Sequence, residues 1–151
     1  MNPAGWVTEQ ETNGKTVNFT HYASGLVKTA TPQDGHTVSM EYDLQGNRKK
    51  LTDPDGGVIT TLYDGWGQLV RHAQKVHLSG DSVVTTYNYH ASGLLNNRIR
   101  NGETTGYSYD NLNRLQTVSI AGRHTQGFVY DQYDRLTQIT NTVDGNKSFM
   151  D

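Results

Sequence analysis

Apolar and polar residues alternate along short stretches of this chain, and the stretches recur at a steady interval. Val17 and Phe19, Val38 and Met40, Ile59 and Thr61, Thr85 and Tyr87, Thr105 and Tyr107, and Gln126 and Phe128 each stand two apart. The positions around them are mostly polar or small, as at Thr37, Ser39, Glu41, Thr60, Asn88 and Ser108. Period-two alternation rich in β-branched and aromatic residues predicts half-buried strands. Each stretch runs into an anchor, His21, Tyr42, Tyr63, Tyr89, Tyr109 or Tyr130, and these are 21, 21, 26, 20 and 21 residues apart. Self-similarity at such a period signals a repeat architecture.

Behind each anchor a turn is written into the residue types. Four positions on stand Gly25, Gly46, Gly67, Gly93, Asn113 and Asp134. Glycine, asparagine and aspartate enter the left-handed backbone region most readily, so the column reads as a backbone requirement. Directly after the anchor come Asp43, Asp64, Asp110 and Asp131, whose carboxylates suit Asx turns. Tyr22 and His90 interrupt that column, so their turns must be held otherwise. Val27, Leu69, Leu95, Leu115 and Leu136 follow two past the Gly/Asn/Asp position, and Leu51, Val118 and Ile139 recur three further along the unit. That odd offset predicts a bulge, because a regular strand would put the two positions on opposite faces. A second turn closes each unit, at Asn13-Gly14, Asp34-Gly35, Asp55-Gly56, Gly80-Asp81, Asn101-Gly102, Ala121-Gly122 and Asp144-Gly145. The reading is a ladder of β-hairpins.

Residues 1–15 resemble the tail of a unit, with Met1 at an anchor position and Gly5 in the glycine column. Asp144-Gly145 leads into a run like the one before Tyr42, which would set the next anchor at residue 152. The expectation is one array over 1–151 of about seven units, with anchors near 1, 21, 42, 63, 89, 109 and 130, cut from a longer protein. Arg71 to Ser82 carries five extra residues, including His72, Lys75 and His77, and reads as a longer hairpin tip.

Composition narrows the chemistry. Only 33% of residues are apolar while tyrosines number nine, so an interior must be assembled from rings whose hydroxyls need partners. A net charge of −2 lacks the basic footprint of a nucleic-acid binder. With no cysteine there is neither a disulfide framework nor thiolate chemistry. No apolar run is long enough for a membrane-spanning helix.

No motif points to catalysis, and no cofactor or metal is expected. The histidines His21, His36, His72, His77, His90 and His124 lack ligand spacing. Asp53-Pro54-Asp55-Gly56-Gly57 reads as a turn and lacks the pattern of a calcium loop. Tyr42, Tyr63, Tyr89, Tyr109 and Tyr130 read as rungs stacked between neighbouring hairpins. Trp66, between Gly65 and Gly67, is expected to be exposed and is the candidate for glycan contact.

The motifs YDLQGNR, YDGWGQL, YDNLNRL and YDQYDRL resemble those of the RHS/YD-repeat family over essentially the whole chain. That family includes bacterial polymorphic toxins, shell subunits of insecticidal toxin complexes, and teneurins. The resemblance implies an all-β fold: tandem hairpin repeats of about 21 residues in a curved, spiralling antiparallel sheet, part of an RHS/YD shell. It further implies a secreted or cell-surface parent in which the shell encloses a C-terminal toxin or effector domain. The alternative function is a carbohydrate- or surface-binding repeat module. The chain departs from YDxxGRL at His21-Tyr22, Arg48, His90, Asn113 and Asp134, which puts individual turns in question. Unpaired strand edges would also favour edge-to-edge self-association.

Overall fold

The computed structural model describes residues 1–75, 80, 82–143 and 146–150, the last five by backbone alone. The tip of the longer hairpin (76–79 and 81) and the Asp144-Gly145 turn lie outside the described residues. The chain is all-β, built of tandem antiparallel hairpins, and no helix occurs among the described residues.

Two compact units divide it, Met1–Val84 and Thr85–Asp151. The first contains β1 (Glu9–Thr12), β2 (Lys15–His21), β3 (Val27–Pro32), β4 (Val38–Tyr42), β5 (Arg48–Thr52), β6 (Val58–Tyr63) and β7 (Leu69–Lys75). Strand β8 (Ser82–Tyr89) crosses the boundary, and its Thr85–Tyr89 portion pairs with the second unit. That unit continues through β9 (Leu95–Arg100), β10 (Glu103–Tyr109), β11 (Leu115–Ile120), β12 (His124–Tyr130), β13 (Leu136–Val143) and β14 (Asn146–Met150). Within each unit every strand lies beside its predecessor and runs antiparallel to it.

The register explains the odd sequence offset. In the second unit Tyr107 faces Val118 and Ser108 faces Thr117, but Tyr109 faces Leu115, so Gln116 is left over as a bulge. The same slip falls just before His21, Tyr42, Tyr63, Tyr89 and Tyr130. Because the leftover residue restores the two-residue parity, Leu115 and Val118 share the anchor's face.

Each strand consequently has two chemically distinct sides. The anchor side carries Phe19, Met40, Leu51, Ile59, Tyr87, Tyr107, Val118, Phe128 and Ile139, all half-buried. The other side carries hydroxyl and amide pairs that bond across strands: Thr20 with Thr29 (2.6 Å), Asn88 with Asn97 (2.7 Å) and Ser108 with Thr117 (2.7 Å). Gly106 and Gly127 belong to this side, where a Cβ would come within 3.0 Å of Ser119 Oγ and 2.6 Å of Thr140 Oγ1.

Burial is shallower than a core of stacked rings would suggest. Ala73 is the sole buried hydrophobic side chain among the described residues, and none is fully buried. The physical reason is that one layer of hairpins covers its apolar side only through neighbours in the same sheet, whereas a domain core needs two packed layers.

The closing turns follow their residue types. Asn13-Gly14 and Asn101-Gly102 are two-residue loops with all four φ angles positive, as type I′ hairpins require. Asp53 closes its loop by accepting from Gly57 N–H (2.6 Å).

Candidate functional site

The row of anchor turns is where the sequence placed its candidate residues, and there the geometry is most repetitive. The residue after the anchor donates its N–H to the carbonyl four residues on, and the Gly/Asn/Asp residue donates back. For Asp110 these bonds are to Arg114 O (2.9 Å) and from Asn113 N (3.0 Å). The same pair of bonds closes the turns begun by Tyr22, Asp43, Asp64, His90 and Asp131. Asn113 and Asp134, which depart from glycine, hold φ of 62° like their glycine counterparts, which span 79° to 87° from Gly67 to Gly25 and Gly46. The turn at Asn2 has the same bonds, with Gly5 at φ 82°.

Each aspartate closes its own turn from inside. Asp43 Oδ1 accepts from Gln45 N (2.9 Å) and Asn47 N (2.8 Å), and Asp64, Asp110 and Asp131 bond the equivalent amides. Asn2 does this with its amide oxygen toward Ala4 and Trp6. Desolvation opposes ionisation of Asp43, Asp110 and Asp131, but the hydrogen bonds outweigh it. All three carboxyls therefore sit below the usual aspartate range. For Asp43 the main donors are the side chain and backbone of Asn47; for Asp110 and Asp131 they are the backbone and side chain of Arg114 and Arg135.

The two turns begun by neither aspartate nor asparagine use rings. Tyr22 meets Tyr42 edge-on at 6.1 Å between centroids and donates its hydroxyl to Met40 O (2.9 Å). His90 meets Tyr109 edge-on at 6.3 Å. In both cases the ring after one anchor rests against the next anchor.

The anchor tyrosines also reach backward. Tyr109 donates to Leu95 O and Tyr130 to Leu115 O, both at 3.0 Å. Each carbonyl belongs to the strand that follows the preceding turn. Tyr42 points its hydroxyl at Met40 Sδ (3.6 Å), and Tyr63 has no such bond. His21 instead packs beside Trp6, with ring centroids 5.5 Å apart.

A further relation was hidden from residue-type reading. At three junctions the fifth residue after an anchor lies on the fourth residue after the next one, though not at Gly67, where a Cβ would meet nothing within 4 Å. A Cβ on Gly25 would stand 3.2 Å from the Trp6 ring, and one on Gly46 would stand 3.8 Å from Leu26 Cδ1. Arg114 Nη1 bonds Asp134 Oδ1 (2.8 Å) and Asp131 O (3.1 Å), while Nε holds Asp110 Oδ2 (2.7 Å). Its guanidinium also lies 4.8 Å from the Tyr130 ring centroid, and hydrogen bonds to Asp110 raise its pKa above the ordinary arginine value. The sequence signal was the pairing of Trp6, Leu26 and Arg114 with Gly25, Gly46 and Asp134, legible only once turns are compared with their neighbours.

Trp66 is 89% exposed, as are the turn residues Leu44, Leu112 and Tyr133 to lesser or greater degree. An open groove of about 780 Å³ lies between the Tyr22 and Asp43 turns, lined by Tyr22, Leu26, Tyr42 and Leu44 among others. No group of three or more metal-ligating side chains forms among the described residues.

Repeated strand–turn–strand units bonded edge to edge define a β-hairpin repeat protein. The teneurin YD-shell family profile matches residues 2–146, and the chain belongs to that family. No curated protein matches the sequence. Among solved structures, the chain is similar to one of TcdB2-TccC3-Cdc42, with TM-score 0.79 and 18% identity over 94% of this chain and 8% of that one. It is also similar to TcdB2-TccC3 without its hypervariable C-terminal region (TM-score 0.76, 18% identity, 89% and 8% covered). A third likeness is to a Photorhabdus luminescens Tc holotoxin pore (TM-score 0.62, 14% identity, 85% and 9% covered). At these identities the likeness is one of fold, and the chain spans less than a tenth of each of those chains.

Proposed function

We propose that this chain is a structural stretch of one YD-repeat array, part of a β-shell that houses a toxin or effector cargo domain within a longer secreted or surface protein. The observation that supports it is the bonding of each anchor turn to its neighbour, through Tyr109 to Leu95, Tyr130 to Leu115 and Arg114 to Asp134. Such links suit a wall of hairpins held turn to turn. The direct test is protease treatment of the intact parent protein. A flanking domain that survives while the repeats are whole supports the shell; its rapid digestion removes that reading.

Partners follow from the same reading: the remaining repeats and the enclosed domain. Strand β1 presents Glu9, Gln10, Glu11 and Thr12 along its outer edge, all exposed. An unpaired edge favours addition of another strand, so the isolated chain is expected to self-associate. Sedimentation at rising concentration checks this, and a strictly monomeric profile contradicts it.

A second reading, a glycan- or surface-binding module, draws on Trp66, whose ring projects from a turn flanked by glycines. A reproducible glycan-array signal lost in Trp66→Ala would favour it, and absence of any signal would end it.

A further inference from the structure

At two junctions the preceding turn lays an apolar side chain over the glycine four after the next anchor, Trp6 over Gly25 and Leu26 over Gly46, whereas Gly67, which follows the turn of Asn47, has nothing within 4 Å of the place of a Cβ. Where the fourth residue is Asp134, the preceding turn supplies Arg114. A side chain at Gly25 would crowd the Trp6 ring, and a carboxylate set beneath Leu26 would lie against an apolar side chain that offers it no donor. A glycine beneath Arg114 would leave one guanidinium nitrogen without its carboxylate. Each combination therefore disfavours the other.

Arg135 has the stance of Arg114 without its neighbour. Its Nε bonds Asp131 Oδ2 at 2.7 Å, the distance of Arg114 Nε to Asp110 Oδ2. The guanidinium lies 5.3 Å from the ring centroid of Tyr133, and no described residue engages its outer nitrogens. The side chain is 73% exposed against 22% for Arg114.

We propose that, where the two meet, the fifth residue after one anchor and the fourth after the next form a matched pair selecting which hairpin turn can lie beside which, and that Arg135 is the open half of such a pair, shaped for a turn offering a backbone carbonyl and a carboxylate as Asp131 and Asp134 do. This rests on the array reading above and adds a rule for the order of its hairpins. Apolar-over-glycine and arginine-over-aspartate are the pairings seen in contact at Gly25, Gly46 and Asp134, while Gly67 is left uncovered. A mismatched hairpin would meet either crowding or an unpaired charge, which is discrimination by unfavourable contacts as well as favourable ones.

The two arginines provide an internal control, because they share the bond within the turn and differ in the bond between turns. Arg114→Leu should raise the unfolding equilibrium constant several-fold, while Arg135→Leu should change it by less than about twofold. Equal effects would mean that arginine acts within its own turn, and would overturn the proposal. Paired changes then test the matching. Arg114→Leu with Asp134→Gly, and Leu26→Arg with Gly46→Asp, should each be less damaging than the product of their single changes, by on the order of fivefold. Multiplicative effects in both cycles would refute selection. Should Arg114→Leu fail to fold, Arg114→Lys keeps the charge without the fork and should still be weaker than Arg135→Lys; parity would count against the pair.

The open half is tested with acetate at constant ionic strength, following arginine Nε–H signals by NMR. The Arg135 signal should move and the Arg114 signal should stay. Movement of both alike, or of neither, contradicts the assignment of one fork as open and the other as filled. These readouts concern the chain alone, so they succeed or fail independently of whether the parent protein protects a cargo domain.

Discussion

Alanine at three turn glycines separates backbone strain from packing. Gly25, Gly46 and Gly67 hold φ of 87°, 87° and 79°, so each Gly→Ala change meets nearly the same conformational penalty. That penalty is roughly 1–2 kcal/mol, reduced by roughly 0.4–1 kcal/mol because alanine also restricts the unfolded chain. At Gly67 an added Cβ meets nothing within 4 Å, leaving a net cost of about 1 kcal/mol. At Gly46 it lies 3.8 Å from Leu26 Cδ1, an ordinary contact, and the cost should be about the same. At Gly25 it lies 3.2 Å from two atoms of the Trp6 ring, which would have to shift away from its contact with His21. Weakening that ring pair adds up to about 1 kcal/mol, for a total near 2 kcal/mol. Equilibrium urea unfolding followed by circular dichroism measures all three, with Gly67→Asn as a control, since Asn113 adopts the same region natively. Equal losses at Gly25 and Gly67 would refute the account of Trp6 as a lid on the next turn.

Four further outcomes follow from the same geometry. Tyr109→Phe and Tyr130→Phe should each cost about 1 kcal/mol in urea unfolding by deleting a bond to a carbonyl of the preceding hairpin, whereas Tyr63→Phe should be close to neutral. Gly46→Val should be worse than Gly46→Ala in that assay, because a β-branched side chain resists positive φ more strongly. Asp43, Asp110 and Asp131 have lowered pKa values in the folded state, so the stability they lend is complete above the unfolded value near ~3.9. It should be lost as pH falls through the folded values; a urea midpoint unchanged between pH 5 and pH 2 would contradict this. Trp66→Ala should leave stability within about 0.5 kcal/mol, as expected of an exposed side chain with few neighbours, and a larger loss would show that the ring is anchored.

The repeat was legible because strand and turn chemistry are local. Alternation around Tyr107, the Asp110 carboxylate and the small column at Asn113 are properties of one unit, and the structure places each in the strand or turn its residue type suits. The odd spacing of Leu115 and Val118 foretold the bulge by parity alone. Departures from the family motif at Asn113 and Asp134 leave the turn unchanged, because both residues tolerate the left-handed region. What could not be read was set between units. Nothing local in Arg114 distinguishes a solvated arginine from one spanning two turns, and Arg135 shows that the same motif gives both results. The depth of burial was also illegible, because Tyr42 or Phe128 looks alike in sequence whether its face meets a second layer or only its neighbours in the sheet.

The lone residue left over after each anchor has an effect beyond shape. By keeping parity, it keeps every ring on one side and every hydroxyl ladder on the other, strand after strand. Such a sheet wets unequally: one surface carries hydroxyl and amide groups, and the other carries half-buried rings. Were Gln116 instead paired in regular register with Ser108, Thr117 and Val118 would exchange faces; deleting it would remove the kink and leave both faces as they are.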